Sequence, residues 1–315
     1  MNPMPAFGLR RWMHMRLPIG MLCLIAATPA MLLGQTQPLL PENKVTRVSD
    51  HVYAIEGWPN VGIIVGERAT LVVDTGLGPR NGATVLREVQ KLAKGPKLYL
   101  TTTHFHPEHA SGEAAFPAGT IIVRPAIQQE EMEARGAEFL EMFKGRSPQF
   151  KELLQDVKMR TPDLTFDQEI KLDLGGVTAR LMRLGTGHTR GDEQTLVEPD
   201  GVLLSGDIVE SKLVPSLPNT DSSVKGWLAI LEKLEALKPR LVVPDHGALG
   251  DGSLVGKERA FLSGLQTRAL DLKRQGTSAD EAGKLLTTEF KSEYPDWENM
   301  APLANVVRRV YAESH

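Results

Sequence analysis

The sequence predicts one layered α/β domain with helices outside two β-sheets. Two observations lead there. Apolar strand-like runs come first, followed by βα units, further strands and a last helix–strand step. No short-period repeat and no low-complexity linker divides the 315 residues, so one core is expected rather than two tethered domains.

The elements follow in order. "VYAIEG" (52–57), "GIIVG" (62–66) and "ATLVVDTG" (69–76) read as consecutive strands joined by Gly-containing turns. "PRNGATVLREVQKLAKG" reads as a helix, with Pro79 near its start and Gly95 at its stop. "PKLYLTTT" is the next strand and runs directly into "HFHPEH". "GTIIVRP" is another strand, after which a helical insertion over 126–160 interrupts the succession, with helices at 126–145 and 148–158. In the first of these, Met132, Phe139, Met142 and Phe143 keep helical spacing, as a core-facing stripe or the inner face of a lid would. Two hairpins follow, "QEIKLDLGGVTARLMRLG" and "EQTLVEPDGVLLSGD", the second turning at Pro199-Asp200-Gly201. "SSVKGWLAILEKLEAL" is a helix and "RLVVPDHG" a strand. Two or three helices fill 256–313, to cover one sheet or form a dimer contact.

Residues 1–34 read as an export signal ahead of a domain at 35–315. A basic stretch holds Arg10, Arg11 and Arg16, and "LPIGMLCLIAATPAMLLG" is apolar. Pro18 and Pro29 within that run favour cleavage, after Ala30 or Gly34, over a retained anchor. A periplasmic or secreted protein is therefore expected, with no stable membrane insertion after cleavage. Cys23 is the only cysteine and lies in the leader, so the mature chain would have neither disulfide nor thiolate ligand.

The formal charge is −3, and the leader holds three arginines and no acid, which leaves the remainder at −6. An acidic body without a basic block argues against nucleic acid as a partner. A small-molecule substrate is the expected partner.

Chemistry concentrates in "TTTHFHPEHASG" (101–112). His104 and His106 are two apart at a strand end, and Pro107 holds His106 towards an extended backbone, which sets both imidazoles on one side. The turn after Pro107 swings Glu108 and His109 towards a neighbouring point. Imidazole suits zinc, and carboxylate oxygen completes such sites. His188 in "RLGTGHTRGD", Asp207 in "VLLSGDIVES" and His246 in "LVVPDHGALG" repeat the design of a metal-binding side chain just beyond an apolar run. Five of the eight histidines occupy such positions; His14, His51 and His315 do not.

From about Val52 to Gly250 these motifs, in this order, resemble the metallo-β-lactamase-fold metallohydrolase superfamily, with HxHxEH in place of HxHxDH. The resemblance implies a four-layer αββα sandwich. It implies that His104, His106 and His188 bind one metal, that Glu108, His109 and His246 bind a second, and that Asp207 bridges them. Asp74 of "VVDTG" would stand behind the metal loop and hold it by hydrogen bonds. Two Zn2+ ions are expected, with iron or manganese also compatible with these ligands. A metal-bound hydroxide would attack an ester, thioester, lactone or β-lactam carbonyl, with Glu108 orienting it and shuttling its proton.

Two departures matter. Asp207 stands where the cysteine-bearing β-lactamases have cysteine, which favours a lactone or thioester hydrolase, whereas export favours a β-lactam substrate. Glu108 is one methylene longer than the usual aspartate, about 1.5 Å of extra reach, so a displaced or weaker second metal is expected. An iron-dependent member such as a persulfide dioxygenase, or a non-catalytic metal-binding descendant, are the alternatives. For substrate contact, Trp58 in the first strand turn is a candidate flap. Arg190, two residues past a ligand, is a candidate carboxylate fork and Lys212 a poorer one.

Overall fold

The computed structural model describes residues 39–217 and 219–314. The leader read at 1–34, with Cys23, lies outside the described residues.

Two sheets form. The first, in spatial order, contains β1 (Thr46–Arg47), β2 (Val52–Ile55), β3 (Val61–Val65), β4 (Ala69–Val73), β5 (Lys97–Thr101), β6 (Ile121–Pro125) and β7 (Leu164–Phe166). The second contains β8 (Glu169–Asp173), β9 (Thr178–Met182), β10 (Gln194–Glu198), β11 (Val202–Leu204), β12 (Leu241–Val243) and β13 (Gly250–Asp251), again with sequence neighbours adjacent. Strands joined by short turns pair antiparallel. Pairing becomes parallel where a helix makes the crossover, from β4 to β5 through α1 (Gly78–Leu92) and from β11 to β12 through α5 (Val224–Ala236). A short α2 (Pro107–Ala110) follows β5, and the insertion supplies α3 (Ala126–Lys144) and α4 (Pro148–Leu153). Three helices close the chain: α6 (Ser253–Arg274), α7 (Ala279–Glu293) and α8 (Leu303–Glu313).

Strand alternation sorts side chains into layers. Val61, Ile63, Val65 and Val72 face outward onto Val85 and Val89 of α1. Ile64, Leu71 and Val73 face inward and meet Leu181, Val197, Val202 and Leu204 of the second sheet. The outer face of that sheet, with Met182, Leu196, Leu203 and Val242, is covered by α5 to α8. The result is the expected αββα order. The sheets approach closely at Gly62, where a Cβ would lie 1.9 Å from Leu204 Cδ2.

Two boundaries differ from the sequence reading, for backbone reasons. The strand read through Gly76 stops at Val73, because Asp74 and Gly76 take φ of +71° and +77° and turn the chain out of the sheet. The helix read at 148–158 stops at Leu153, ahead of Asp156 at φ +60°.

Arg124, fully buried on β6, anchors the insertion. Its guanidinium donates to Glu113 on the turn before β6, and to Gln129 Oε1 (2.8 Å) and Met132 Sδ (2.8 Å) on α3. Arg124→Met would leave the Glu113 carboxylate buried without its cation. It is expected to destabilise the fold by about 3–5 kcal/mol, read from urea unfolding; an unchanged midpoint would contradict this role.

Candidate metal centre

The loops after β4, β5, β9, β11 and β12 meet at one end of the two sheets. Asp74 follows β4. His104 and His106 follow β5, and Pro107 at the start of α2 puts Glu108 and His109 in its single turn. His188 comes from the loop after β9, Asp207 from the turn after β11, and Asp245 and His246 from the end of β12. The seven residues expected to hold metal are thus gathered, each no more than 9% exposed.

They form two clusters. In the first, His106 Nδ1 lies 2.9 Å from His104 Nε2 and 3.1 Å from His188 Nε2. In the second, Glu108, His109 and His246 bring donor atoms within 4.8 Å of one another. Asp207 turns one oxygen to each. Its Oδ2 is 3.3 Å from His188 Nε2 and 4.0 Å from His104 Nε2, and its Oδ1 is 3.6 Å from His109 Nε2 and 3.4 Å from His246 Nε2.

Hydrogen bonds behind the rings fix which nitrogen faces in. His188 Nδ1 donates to the Ser216 carbonyl (2.7 Å), and His106 Nε2 to Asn219 Oδ1 (3.3 Å). His109 Nδ1 faces Asp74 Oδ2 (3.1 Å) and Asp245 Oδ2 (3.2 Å). Asp74 Oδ1 in turn accepts from Thr103 N (2.8 Å), so one buried carboxylate holds both the start of the histidine loop and its last histidine.

Burial depresses the pKa of His104, His106, His188 and His246 and keeps these rings neutral, as metal ligands must be. His109 is the exception. Burial opposes its charge, yet Asp74, Asp207 and Asp245 together push its pKa well up. Burial raises Glu108 to about 7, against the pull of His109 and with help from Asp207. Burial, then Asp74, raises Asp245 to about 7.

The donor set fits a pair of divalent cations. Glu108 Oε2, His109 Nε2 and Asp207 Oδ1 are buried without any hydrogen-bond partner among the described residues, and all belong to the clusters. The close nitrogens of the first cluster approach the roughly 3.3 Å spacing that tetrahedral zinc ligands at 2.0–2.1 Å require.

A cavity of about 620 Å³ opens onto both clusters. Trp58 lines it, its ring 5.5 Å from that of His246 and packed on Phe150 at 5.3 Å. Phe139 of α3 stacks on His106 at 4.5 Å, and Phe143 and Arg146 lie beside it along the wall. Lys212 is on the rim, tied to Asp296 at 2.7 Å. Arg190 is not among the lining residues. The Arg190 N–H donates to Glu131 and its guanidinium lies 3.9 Å from Glu130, so α3 holds it away from the cavity.

Sequence reading missed Asp245, Glu210, Asn219 and Arg146. Asp245 had a signal in its adjacency to His246, and Glu210 in its place three residues after Asp207. Asn219 and Arg146 reach the site only through loop and helix packing.

Fold and donor set together define a binuclear metallohydrolase. The family model of the metallo-beta-lactamase superfamily matches residues 56–246, over half of the chain, and the chain belongs to that superfamily. Among curated relatives, a linear primary-alkylsulfatase of Pseudomonas sp. is 26% identical over 222 residues, covering 59% of this chain but only 40% of that protein. The human acyl-coenzyme A thioesterase MBLAC2 is 26% identical over 233 residues, covering 68% of this chain and 80% of the relative. A metallo-beta-lactamase from Pontibacter korlensis superposes with TM-score 0.57 over 70% of this chain and 98% of its own; at 22% identity this is a likeness of fold.

Asp74→Ala removes the carboxylate behind His109 while leaving every inward-facing donor. It is expected to weaken metal binding about 10–100-fold, measured by competition with a chromophoric chelator; wild-type affinity would dismiss the supporting role.

Proposed function

We propose that the chain is an exported, zinc-dependent hydrolase of an ester or thioester that joins an apolar chain to an anionic group. The observation that carries the hydrolytic reading is Asp207, with one oxygen turned to each cluster. His104, His106 and His188 would hold one ion, Glu108, His109 and His246 the other, and Asp207 both. Two bound divalent ions would supply Lewis acidity for the carbonyl and acidify a water.

The remaining steps belong to side chains. Hydrolysis joins the water oxygen to the acyl carbon, breaks the bond to the alcohol or thiol, and passes one proton to the leaving group. Glu108 Oε2, which has no other partner among the described residues, would orient the water and hold that proton. Trp58, Phe139 and Phe143 offer an apolar wall along which an acyl chain would lie.

Arg146 supplies the charge. Its guanidinium lies 3.5 Å over the Phe143 ring, at the cavity wall, with no acid paired to it among the described residues. The curated relatives are named for alkyl sulfates and acyl-coenzyme A, each of which joins an apolar chain to a group that carries anionic charge. Asp207 in the bridging position favours this substrate class over β-lactams. Export is supported by the basic and apolar character of residues 1–34.

A panel of chromogenic thioesters, esters, lactones and β-lactams on the zinc-loaded chain is expected to give its highest kcat/KM with anionic thioesters or esters. His106→Ala is expected to lose metal and turnover together. No turnover on the panel by a fully loaded chain would reject the hydrolase reading. Arg146→Gln is expected to raise KM for anionic substrates about tenfold, the worth of one charged hydrogen bond, and to leave a neutral ester unaffected. Equal effects on both would remove Arg146 from substrate recognition.

A further inference from the structure

A further carboxylate faces the metal clusters. Glu210 follows Asp207 by three residues, just past the 3-10 turn Gly206–Ile208, and is 6% exposed. It lines the same cavity as His106, Glu108, His188, Asp207 and His246. One of its oxygens, one of Asp207 and a ring nitrogen of His246 lie within 4.8 Å of one another. That group shares His246 with the group of Glu108 and His109, so the two glutamates approach the second cluster through a common histidine.

Around Glu210 the acids outnumber the one opposing group, His109. The Glu210 carboxylate makes no hydrogen bond or ion pair with another side chain among the described residues, and the acids around it are Asp207, Asp245 and Glu258. Lys212, on the cavity rim, pairs with Asp296 at 2.7 Å. Asp207 Oδ1, next to it, is likewise buried without a hydrogen-bond partner. A buried carboxylate in this position costs several kcal/mol unless a cation answers it.

We propose that Glu210 is a ligand of the second metal position, together with Asp207 and His246. This rests on the binuclear reading and sharpens it. The first position is built on three imidazoles and a shared carboxylate. The second gains Glu210 beside Glu108 and the shared Asp207, which makes it oxygen-rich. Oxygen-rich sites take harder ions and higher coordination numbers, so manganese and ferrous iron compete better there than at the first position.

Co2+ titration of the chelator-stripped full chain tests this through visible absorption, with Zn2+ affinities from calorimetry. Wild type is expected to bind two equivalents. Glu210→Gln is expected to bind the first unchanged and the second about tenfold or more weakly, with stronger d–d bands as the coordination number falls. Glu210→His replaces the oxygen donor by nitrogen and is expected to keep the second equivalent with shifted bands. Retention of the first equivalent and an unchanged far-ultraviolet circular dichroism spectrum establish that each variant is folded. Two equivalents with wild-type affinities in Glu210→Gln, or unshifted bands in Glu210→His, would overturn the assignment while leaving the binuclear centre intact. A single equivalent in wild type would overturn both.

Discussion

Buried charge at the seam between the two sheets is the constraint on which the rest of the molecule depends. Asp74, Glu108, Asp207, Glu210 and Asp245 sit with five histidines in one shell, all at 9% exposure or less. A lone ionised carboxylate in such a place is unfavourable by several kcal/mol. Part of this is offset inside the protein. Asp74 takes the Thr103 amide and hydroxyl, and His109 stands between Asp74 and Asp245. The rest is not, because Glu108, Asp207 and His109 keep buried atoms with no partner. Those atoms are the ones a pair of cations would answer. The hydrophobic layer between the sheets does the complementary job of bringing the strand ends close enough for one pair of ions to be shared.

The insertion adds a wall to this centre rather than a second core. Phe139 and Phe143 are four apart on α3, so they share a face, and that face meets His106 and the cavity. Met132, about two turns earlier, packs with Phe105 and Leu77 and fixes the helix to the metal loop. Met142, which shared the same spacing in the sequence, is 43% exposed and points outward. The Arg124 network holds the start of the helix, and Arg146 lies just past its end at Gly145. An apolar surface next to imidazole lowers the local dielectric, which strengthens every electrostatic interaction a substrate makes there.

Much of this was legible from the chain. The order of strands and crossovers gave the layers because hairpins and βα units leave different periodicities. The histidine cluster was legible because its members are adjacent in sequence and follow a strand. Asp74 was legible for the same reason, although its left-handed backbone, which ends β4 and aims the carboxylate, was not. Arg190 was misread because sequence proximity to His188 says nothing of direction; α3, sixty residues earlier, takes up its backbone and side chain. Arg146 shows the converse. It is about forty residues from any ligand in sequence, and only the packing of α3 brings it to the cavity.

Glu108 is the point where sequence and structure inform each other most. Read alone, an extra methylene in a metal loop implies a displaced ion. In the fold the longer side chain stays within the group of His109 and His246, because Pro107 and the single turn of α2 fix its backbone, leaving the added reach to the side chain. With Glu210 as proposed, the second site would add two flexible glutamates to His109, which Asp74 and Asp245 hold, whereas the three imidazoles of the first all hydrogen-bond to Ser216, Asn219 and Thr103. The two halves of the centre thus differ in rigidity as well as in donor type. The first half would hold an ion through fixed imidazoles, and the second would offer it longer, more adjustable carboxylate donors.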